Sequence, residues 1–204
     1  VLMFHQDIYG SGYDHSDTDG MVLRTQLTPI IDNYDFDAVL QGHDHTYSRT
    51  YQISTDGKDH TDYTKAPSTS ATDDYNAHKV IDPEGTVYFE ANSATGSKYY
   101  QLIGTQQDYI AARSQSWRPT YSVIDITDVT LTVRTYDAAT NEELVADGGI
   151  ATAYTIVKQA DKTSLVSAIE EAQKKLDEAK KSGLYTDASI AEAQALIDAA
   201  QTIA

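Results

Sequence analysis

Two short apolar runs, each leading into a histidine, constrain the fold of this chain most. Residues 1–4 precede His5, and residues 38–40 are followed, after Gln41 and Gly42, by His43. Runs of this length are typical of buried strands. Between them, residues 21–34 carry apolar side chains at helical spacing, although Pro29 weakens the pattern. The order strand, helix, strand predicts an α/β fold, with these elements forming one unit of an α/β sandwich.

Further strands are predicted along the chain as far as residue 157. Strand-like patterns recur at 46–54, 86–90, 121–126, 129–136 and 152–157. The third and fourth of these surround Thr127-Asp128 and predict a hairpin. The polar segments 56–84 and 92–118 interrupt the pattern. Polar loops of that length are usually functional rims or mobile segments, and that is what we expect here.

The composition changes near residue 160, where Lys, Glu, Ala and Leu become frequent. An apolar stripe with a period of 3.6 residues then predicts a helix; it comprises Leu165, Ile169, Ala172, Leu176 and Ala179. Gly183 is a suitable end for this helix, and Thr186 is a suitable N-cap for a second one. The second stripe comprises Ile190, Ala193, Ile197 and Ala200. An antiparallel helical pair is therefore expected after the α/β region.

Charge and composition restrict the partners of the chain. The 204 residues carry a formal net charge of −16, which argues against binding nucleic acid through its phosphates. No window approaches the roughly 18 apolar residues that would predict a membrane span. The acidic character fits a secreted or surface-exposed protein. The absence of cysteine excludes disulfides and thiolate zinc sites and leaves the compartment open.

The string Gly42-His43-Asp44-His45 is a candidate metal-binding segment. Histidine at the tip of a buried strand presents a nitrogen that suits zinc, iron or manganese. The glycine permits a tight turn, after which the two imidazoles would address two neighbouring metals, with His5 as a third nitrogen ligand. Two metals about 3.5–4 Å apart are the usual device for phosphate ester hydrolysis. A His-x-His pair that arises by chance and binds nothing is the alternative.

A family resemblance rests on a longer string and two further histidines. The string is Gly-His-x-His-x-Tyr-x-Arg at 42–49, and the histidines are His5 and, ten residues later, His15. It resembles the calcineurin-like metallophosphoesterases, and within them the purple acid phosphatase branch. Residues 82–88 and 121–124 are similar to late strands of that domain, and the resemblance extends over 1–158. It implies a metallophosphoesterase β-sandwich flanked by helices and hydrolysis of phosphate esters by metal-hydroxide attack at a dinuclear centre.

The resemblance also implies a role for individual residues. His5 and His43 are similar to the ligands of the divalent metal, and His45 to a ligand of the other metal. His15 resembles the histidine that orients the substrate phosphate and protonates the leaving alcohol; a solvated loop histidine is the alternative. Arg49 either contacts phosphate or supports the loop with Tyr47. Three residues are expected to have no direct role, Asp44 as a spacer and His60 and His78 as solvated histidines.

The carboxylate and amide ligands of such a centre are expected elsewhere. The family supplies them from earlier motifs that include Gly-Asp and Gly-Asn-His, and this sequence shows neither. We therefore expect the chain to be the C-terminal half of a catalytic domain. In isolation it should bind metal weakly and hydrolyse nothing. The two metal ions of the parent protein could be zinc, iron or manganese.

The region 161–204 has a resemblance of its own. Asp161-Lys162-Thr163-Ser164-Leu165, followed by Tyr185-Thr186, looks like the opening of a FIVAR module, a helical bundle of Gram-positive surface proteins. The resemblance implies an extracellular or cell wall-associated bacterial protein. A generic amphipathic hairpin is the alternative. Two other functions remain open for the parent, a non-catalytic adhesion scaffold and an extracellular nucleotidase or phosphodiesterase.

Overall fold

The computed structural model describes residues 1–13, 19–55, 79–158 and 162–203. The chain divides into two compact units, Val1–Lys158 and Gln159–Ala204. The boundary lies at the change in composition near residue 160. Each unit has a hydrophobic core of its own.

The first unit is built around a mixed five-stranded sheet. Its spatial order is β1 (Leu2–Met3), β2 (Ala38–Gln41), β5 (Val87–Glu90), β3 (Tyr47–Thr50) and β6 (Ile110–Ser114). β1, β2 and β5 are parallel, whereas β3 runs antiparallel to both β5 and β6. The helix α1 (Asp19–Asn33) connects β1 to β2 and contains Pro29. The predicted strand-helix-strand unit is present, and the carboxyl ends of β1 and β2 meet at one edge.

A second sheet lies against the first and has the order β4 (Lys79–Ile81), β11 (Tyr154–Val157), β8 (Thr130–Asp137), β7 (Thr120–Ile126). β7 and β8 form the predicted antiparallel hairpin, with Ile126 opposite Leu131 next to the turn. The short strands β9 (Val145–Ala146) and β10 (Ile150–Ala151) pair separately around a 3-10 turn, Asp147–Gly149.

Alternate residues of the central sheet enter different cores, as strand geometry requires. Ala38 and Phe89 face the second sheet, where they pack with Val133, Tyr154 and Ile156. Val39 and Tyr88 face the opposite side and pack with Ile31 of α1, among other residues. Because both faces are covered, β2 and β5 read as continuous apolar runs in the sequence.

The long polar segments were predicted incompletely. The stretch 92–118 contains β6, and the end of 56–84 contains β4. β6 is Ile-Ala-Ala-Arg-Ser, which is too short and too poor in β-branched residues to stand out, and its pairing with β3 decides its conformation. Residues 56–78 lie outside the described part of the chain.

The second unit is an antiparallel pair of helices, α2 (Thr163–Ser182) and α3 (Asp187–Ile203). Gly183 ends α2 with φ +66°, and the Thr186 hydroxyl accepts the Ser189 N–H at 3.2 Å at the start of α3, so both predicted caps are present. The small core consists of Ile169, Leu176 and Ile197 with apolar neighbours from both stripes. Within the described ranges, none of the helices is long and apolar enough to span a membrane.

Candidate metal centre

The parallel pairing of β1 and β2 places His5 beside His43. Leu2 and Met3 pair with Val39 and Leu40, and the Gly42 N–H donates to the His5 carbonyl at 2.9 Å. The two imidazoles meet edge to face, with His5 Nε2 and His43 Nδ1 3.4 Å apart. Two nitrogen ligands at about 2.1 Å from a tetrahedral metal lie about 3.4 Å from each other. A hydrogen bond between the two rings has the same nitrogen separation, so the distance suits either such a bond or two ligands of one metal ion.

His45 points to different neighbours. Its Nδ1 lies 2.7 Å from the Lys98 carbonyl oxygen, and its ring packs against that of Tyr100 with centroids 5.3 Å apart. The Gln115 side-chain amide donates to the His45 carbonyl at 3.0 Å. A carbonyl oxygen can only accept, so Nδ1 is the donor in this contact, and metal-binding histidines usually have such a partner on their second ring nitrogen. The Lys98 contact therefore occupies Nδ1 and leaves Nε2 as the other ring nitrogen of His45.

The backbone of the loop 42–45 is strained and anchored. His43 and His45 have backbone φ angles of +91° and +50°, which residues other than glycine rarely adopt. Between them Asp44 is fully buried; its Oδ2 accepts the Gly12 N–H at 2.7 Å, and its own N–H donates to Glu90 Oε1 at 3.3 Å. Backbone strain persists only where the surroundings over-determine it, and it is common at functional sites. Asp44 is thus an anchor of the loop rather than only a spacer.

Three carboxyl groups are buried beneath the histidines. Asp7, Asp44 and Glu90 are each 0 % exposed. Burial, reinforced by the negative charges of Asp7 and then Asp44, raises the pKa of the Glu90 carboxyl well above its ordinary value. A cavity of about 520 Å³ opens between the two sheets, with His5 and Glu90 on its wall. The candidate site therefore combines histidine nitrogens with a closely packed group of carboxyl side chains.

Of the other predicted site residues, Arg49 is among those that the structure describes. Arg49 is 0 % exposed, and its guanidinium stacks 4.5 Å from the centre of the Tyr154 ring, inside the sandwich. This position favours the supporting role for Arg49 over contact with phosphate. His15 lies outside the described residues, as do His60 and His78. The structure thus brings together His5, His43 and the loop that carries His45.

Several residues around the histidines were not predicted. Glu90 ends the apolar run of β5, just as His5 follows the apolar run at residues 1–4. The same pattern in the sequence could therefore have identified Glu90. Lys98 and Gln115 act on His45 from 53 and 70 residues away along the chain, through a backbone carbonyl and a side-chain amide. No local pattern marks such contacts.

The described residues fit part of a metal centre. His5 and His43 bring two ring nitrogens to 3.4 Å, and the Nδ1 of His45 contacts the Lys98 carbonyl. Among the described residues, however, there is no group of three or more His, Cys, Asp or Glu side chains that could hold a metal ion. Oxygen ligands would have to be added to these histidines to complete a dinuclear centre.

Comparison with solved structures identifies the same fold. The structure is similar to the purple acid phosphatase PPD1 from seeds of yellow lupin (Lupinus luteus), with a TM-score of 0.57 and 12 % sequence identity. The similarity shows a phosphoesterase-like fold. It covers 78 % of this chain and 25 % of the lupin chain, so this chain spans about a quarter of the length of that protein. No protein-family model and no curated protein sequence matches.

The comparison confirms the predicted fold class. A mixed α/β sandwich of the phosphoesterase kind is followed by an α-helical hairpin, as the sequence predicts. At 12 % identity the likeness concerns the fold alone.

Proposed function

We propose that this chain is part of a metal-dependent phosphoesterase that hydrolyses phosphate esters at a dinuclear centre. The observation that carries the proposal is the approach of His5 Nε2 and His43 Nδ1 to 3.4 Å at the ends of two parallel strands. Ligands commonly gather at the carboxyl ends of strands in open α/β sheets. The fold similarity to a purple acid phosphatase adds support.

The residues of this chain divide the work. His5 and His43 would hold one metal ion, and His45 would hold the second through Nε2, with its Nδ1 on the Lys98 carbonyl. When bound, zinc, iron or manganese ions at such a site coordinate the phosphate oxygens and lower the pKa of the attacking water. His15 is the proposed general acid for the leaving alcohol, since an imidazole changes its charge near neutral pH.

The buried acids keep the histidines in place. Asp44 ties the loop to Gly12 and Glu90 without exposing its carboxylate. Ligand geometry is thereby set before metal binding, which lowers the cost of organising the site. The missing oxygen ligands belong, in this proposal, to a preceding segment of the same domain in the parent protein, and the isolated chain is inactive.

The proposal extends to location. The helical hairpin is proposed to be the beginning of a FIVAR-like module that associates with the bacterial cell wall. Support comes from its separate core and from the acidic, cysteine-free composition of the chain. Fractionation of the producing cell tests this, and recovery of the protein in the cytosolic fraction would contradict it.

Zinc titration of the isolated chain, followed by NMR of the histidine ring protons, tests the site. Fast-exchange shifts detect weak binding, so low affinity does not hide the result. We expect the His5 and His43 signals to move with one midpoint, and His43→Ala to abolish the movement at His5. His60→Ala is the matched control and should change nothing. Equal zinc shifts at His5 in the wild type and in His43→Ala would refute the shared metal.

A further inference from the structure

A partly exposed aromatic surface borders His45. It consists of Lys98, Tyr99, Tyr100 and Trp117, and is called the aromatic rim below. The Tyr99 and Trp117 rings meet edge to face with centroids 6.1 Å apart, and Trp117 is 55 % exposed. The rim is continuous with the candidate metal centre, because the Lys98 carbonyl contacts His45 Nδ1 and the Tyr100 ring packs on His45.

The turn that carries Trp117 is held rigidly. Trp117 has φ +55°, which is costly for a bulky residue, and its N–H donates to Gln115 Oε1 at 3.0 Å. The Asn92 amide donates to Ser116 Oγ at 3.4 Å and to the Arg118 carbonyl at 3.1 Å. Gln115 also donates to the His45 carbonyl. The Gln115 side chain thus contacts the backbone of Trp117 and the backbone of His45.

The Tyr99 ring is also fixed in place. A Cβ at Gly96 would lie 2.7 Å from the Tyr99 hydroxyl and 2.9 Å from Pro119 Cγ, so the hydroxyl end of Tyr99 packs closely against Gly96. Gly96 has φ +70°, which glycine alone adopts without strain. The Tyr99 ring thus packs against Gly96 at its hydroxyl end and against the Trp117 ring, while Trp117 stays more than half exposed.

We propose that the aromatic rim binds the planar aromatic group of the phosphate ester substrate, as in a nucleoside or aryl phosphate. An exposed tryptophan beside a tyrosine offers a stacking surface for such a ring. Lys98, whose Nζ lies 4.5 Å from the centre of the Tyr100 ring, adds positive charge at the same edge, which favours an anionic ester. The link to phosphate rests on the proposed function; the stacking does not.

The protein contains its own probe, because Trp117 is the only tryptophan in the chain. Its fluorescence is followed while the metal-free chain, in EDTA, is titrated with adenosine, adenosine 5′-monophosphate, phenyl phosphate and ribose 5-phosphate. We expect saturable changes with the first two and none with ribose 5-phosphate. If phenyl phosphate binds as tightly as adenosine 5′-monophosphate, the aromatic rim accepts aryl esters in general. If phenyl phosphate binds more weakly, the rim prefers nucleosides.

Tyr99→Ala should weaken adenosine binding about tenfold, as expected when one stacking partner is lost. Tyr99→Phe should restore it, since the ring and not the hydroxyl stacks. Tyr185 is an exposed tyrosine of the other unit, so Tyr185→Ala is the control and should bind adenosine as the wild type does.

A non-saturating response to adenosine, or equal affinity for adenosine and ribose 5-phosphate, would overturn the proposal even if Tyr99→Ala failed to fold. Because no metal is present, the result is independent of the zinc titration. If zinc fails to bind His5 and His43 while adenosine binds the rim, the proposed function fails and the aromatic subsite stands.

Discussion

The loop 42–45 and the helical hairpin α2–α3 are held in shape by different kinds of interaction. In the hairpin, apolar stripes, a glycine terminator and a threonine cap agree with one another within a few residues along the chain. In the loop, two histidines have positive φ and a buried aspartate accepts a hydrogen bond from Gly12, 32 residues away. Local preference builds the first, whereas distant contacts impose the second.

This difference between the loop and the hairpin indicates which region serves function and which serves stability. Where all local preferences agree, a segment folds as its pattern predicts. Where the backbone is strained and carboxyl groups are buried together, the surroundings must compensate, and such places tend to be functional. Substitutions in the two regions should therefore affect different measurements.

The largest effect is expected at the histidines. In a parent protein that supplies the missing oxygen ligands, His43→Ala and His45→Ala should each lower the turnover of p-nitrophenyl phosphate by at least about 100-fold, and EDTA should do the same to the wild type. Leu196→Ala on the exposed face of α3 is the control and should leave turnover unchanged. Unchanged turnover in both histidine variants would contradict the assignment of His43 and His45 to the metal centre.

Leu176→Ala should disrupt the hairpin. Leu176 is 6 % exposed in a core of few residues, and such truncations cost about 2–5 kcal/mol. Amide hydrogen exchange should show lost protection within 163–203 and unchanged protection in the sheets. Leu196 is 69 % exposed, so Leu196→Ala makes the same chemical change at little cost. Similar losses in both variants would mean that the hairpin core is not where the structure places it.

Gly12→Ala should strain the anchor of the loop. A Cβ at this position would lie 2.6 Å from the Asp44 carboxyl carbon, so the aspartate must shift, at a cost of about 1–3 kcal/mol. Urea denaturation measures the loss. Gly104→Ala is matched, because a Cβ there meets nothing within 4 Å. Equal stability of the two variants would show that Asp44 does not hold the loop.

Glu90→Gln should stabilise the metal-free protein in a pH-dependent way. Burial and the neighbouring Asp7 and Asp44 raise the folded-state pKa of Glu90, so its ionisation disfavours the folded state as pH rises above about 4.3. Near pH 7 the variant should be more stable by on the order of 1 kcal/mol or more, and near pH 4 the difference should shrink. Urea denaturation in EDTA at both pH values measures this, and a constant difference would contradict the raised pKa.

Much of the fold is readable from the sequence because its signals are local. The apolar runs give β2 and β5, the helical spacing gives α1, and the turn at Thr127-Asp128 gives the β7–β8 hairpin. β6 was missed because its sequence is ordinary and its partner β3 lies about 60 residues away. Pairing between distant strands leaves no periodic trace in either one.

The candidate site is readable to a smaller extent. The string at 42–49 and the histidine after the first strand predict nitrogen donors, and their family resemblance implies a reaction class. They do not indicate that Asp44 anchors the loop, that Arg49 is buried against Tyr154, or that Glu90 lies beneath the histidines. Those relations join residues from different strands, so no spacing along the chain encodes them.

The sequence by itself determined the α/β order, the helical pair and the types of donor available at the strand ends, because hydrophobic periodicity and capping are properties of neighbouring residues. Only the tertiary structure decided that His5 Nε2 and His43 Nδ1 meet at 3.4 Å while His45 turns to the Lys98 carbonyl. The register of β1 on β2 sets the first contact, and the packing of the 92–118 segment against the loop sets the second. Both depend on which distant surfaces are buried together, and the chain acquires that property only when it folds.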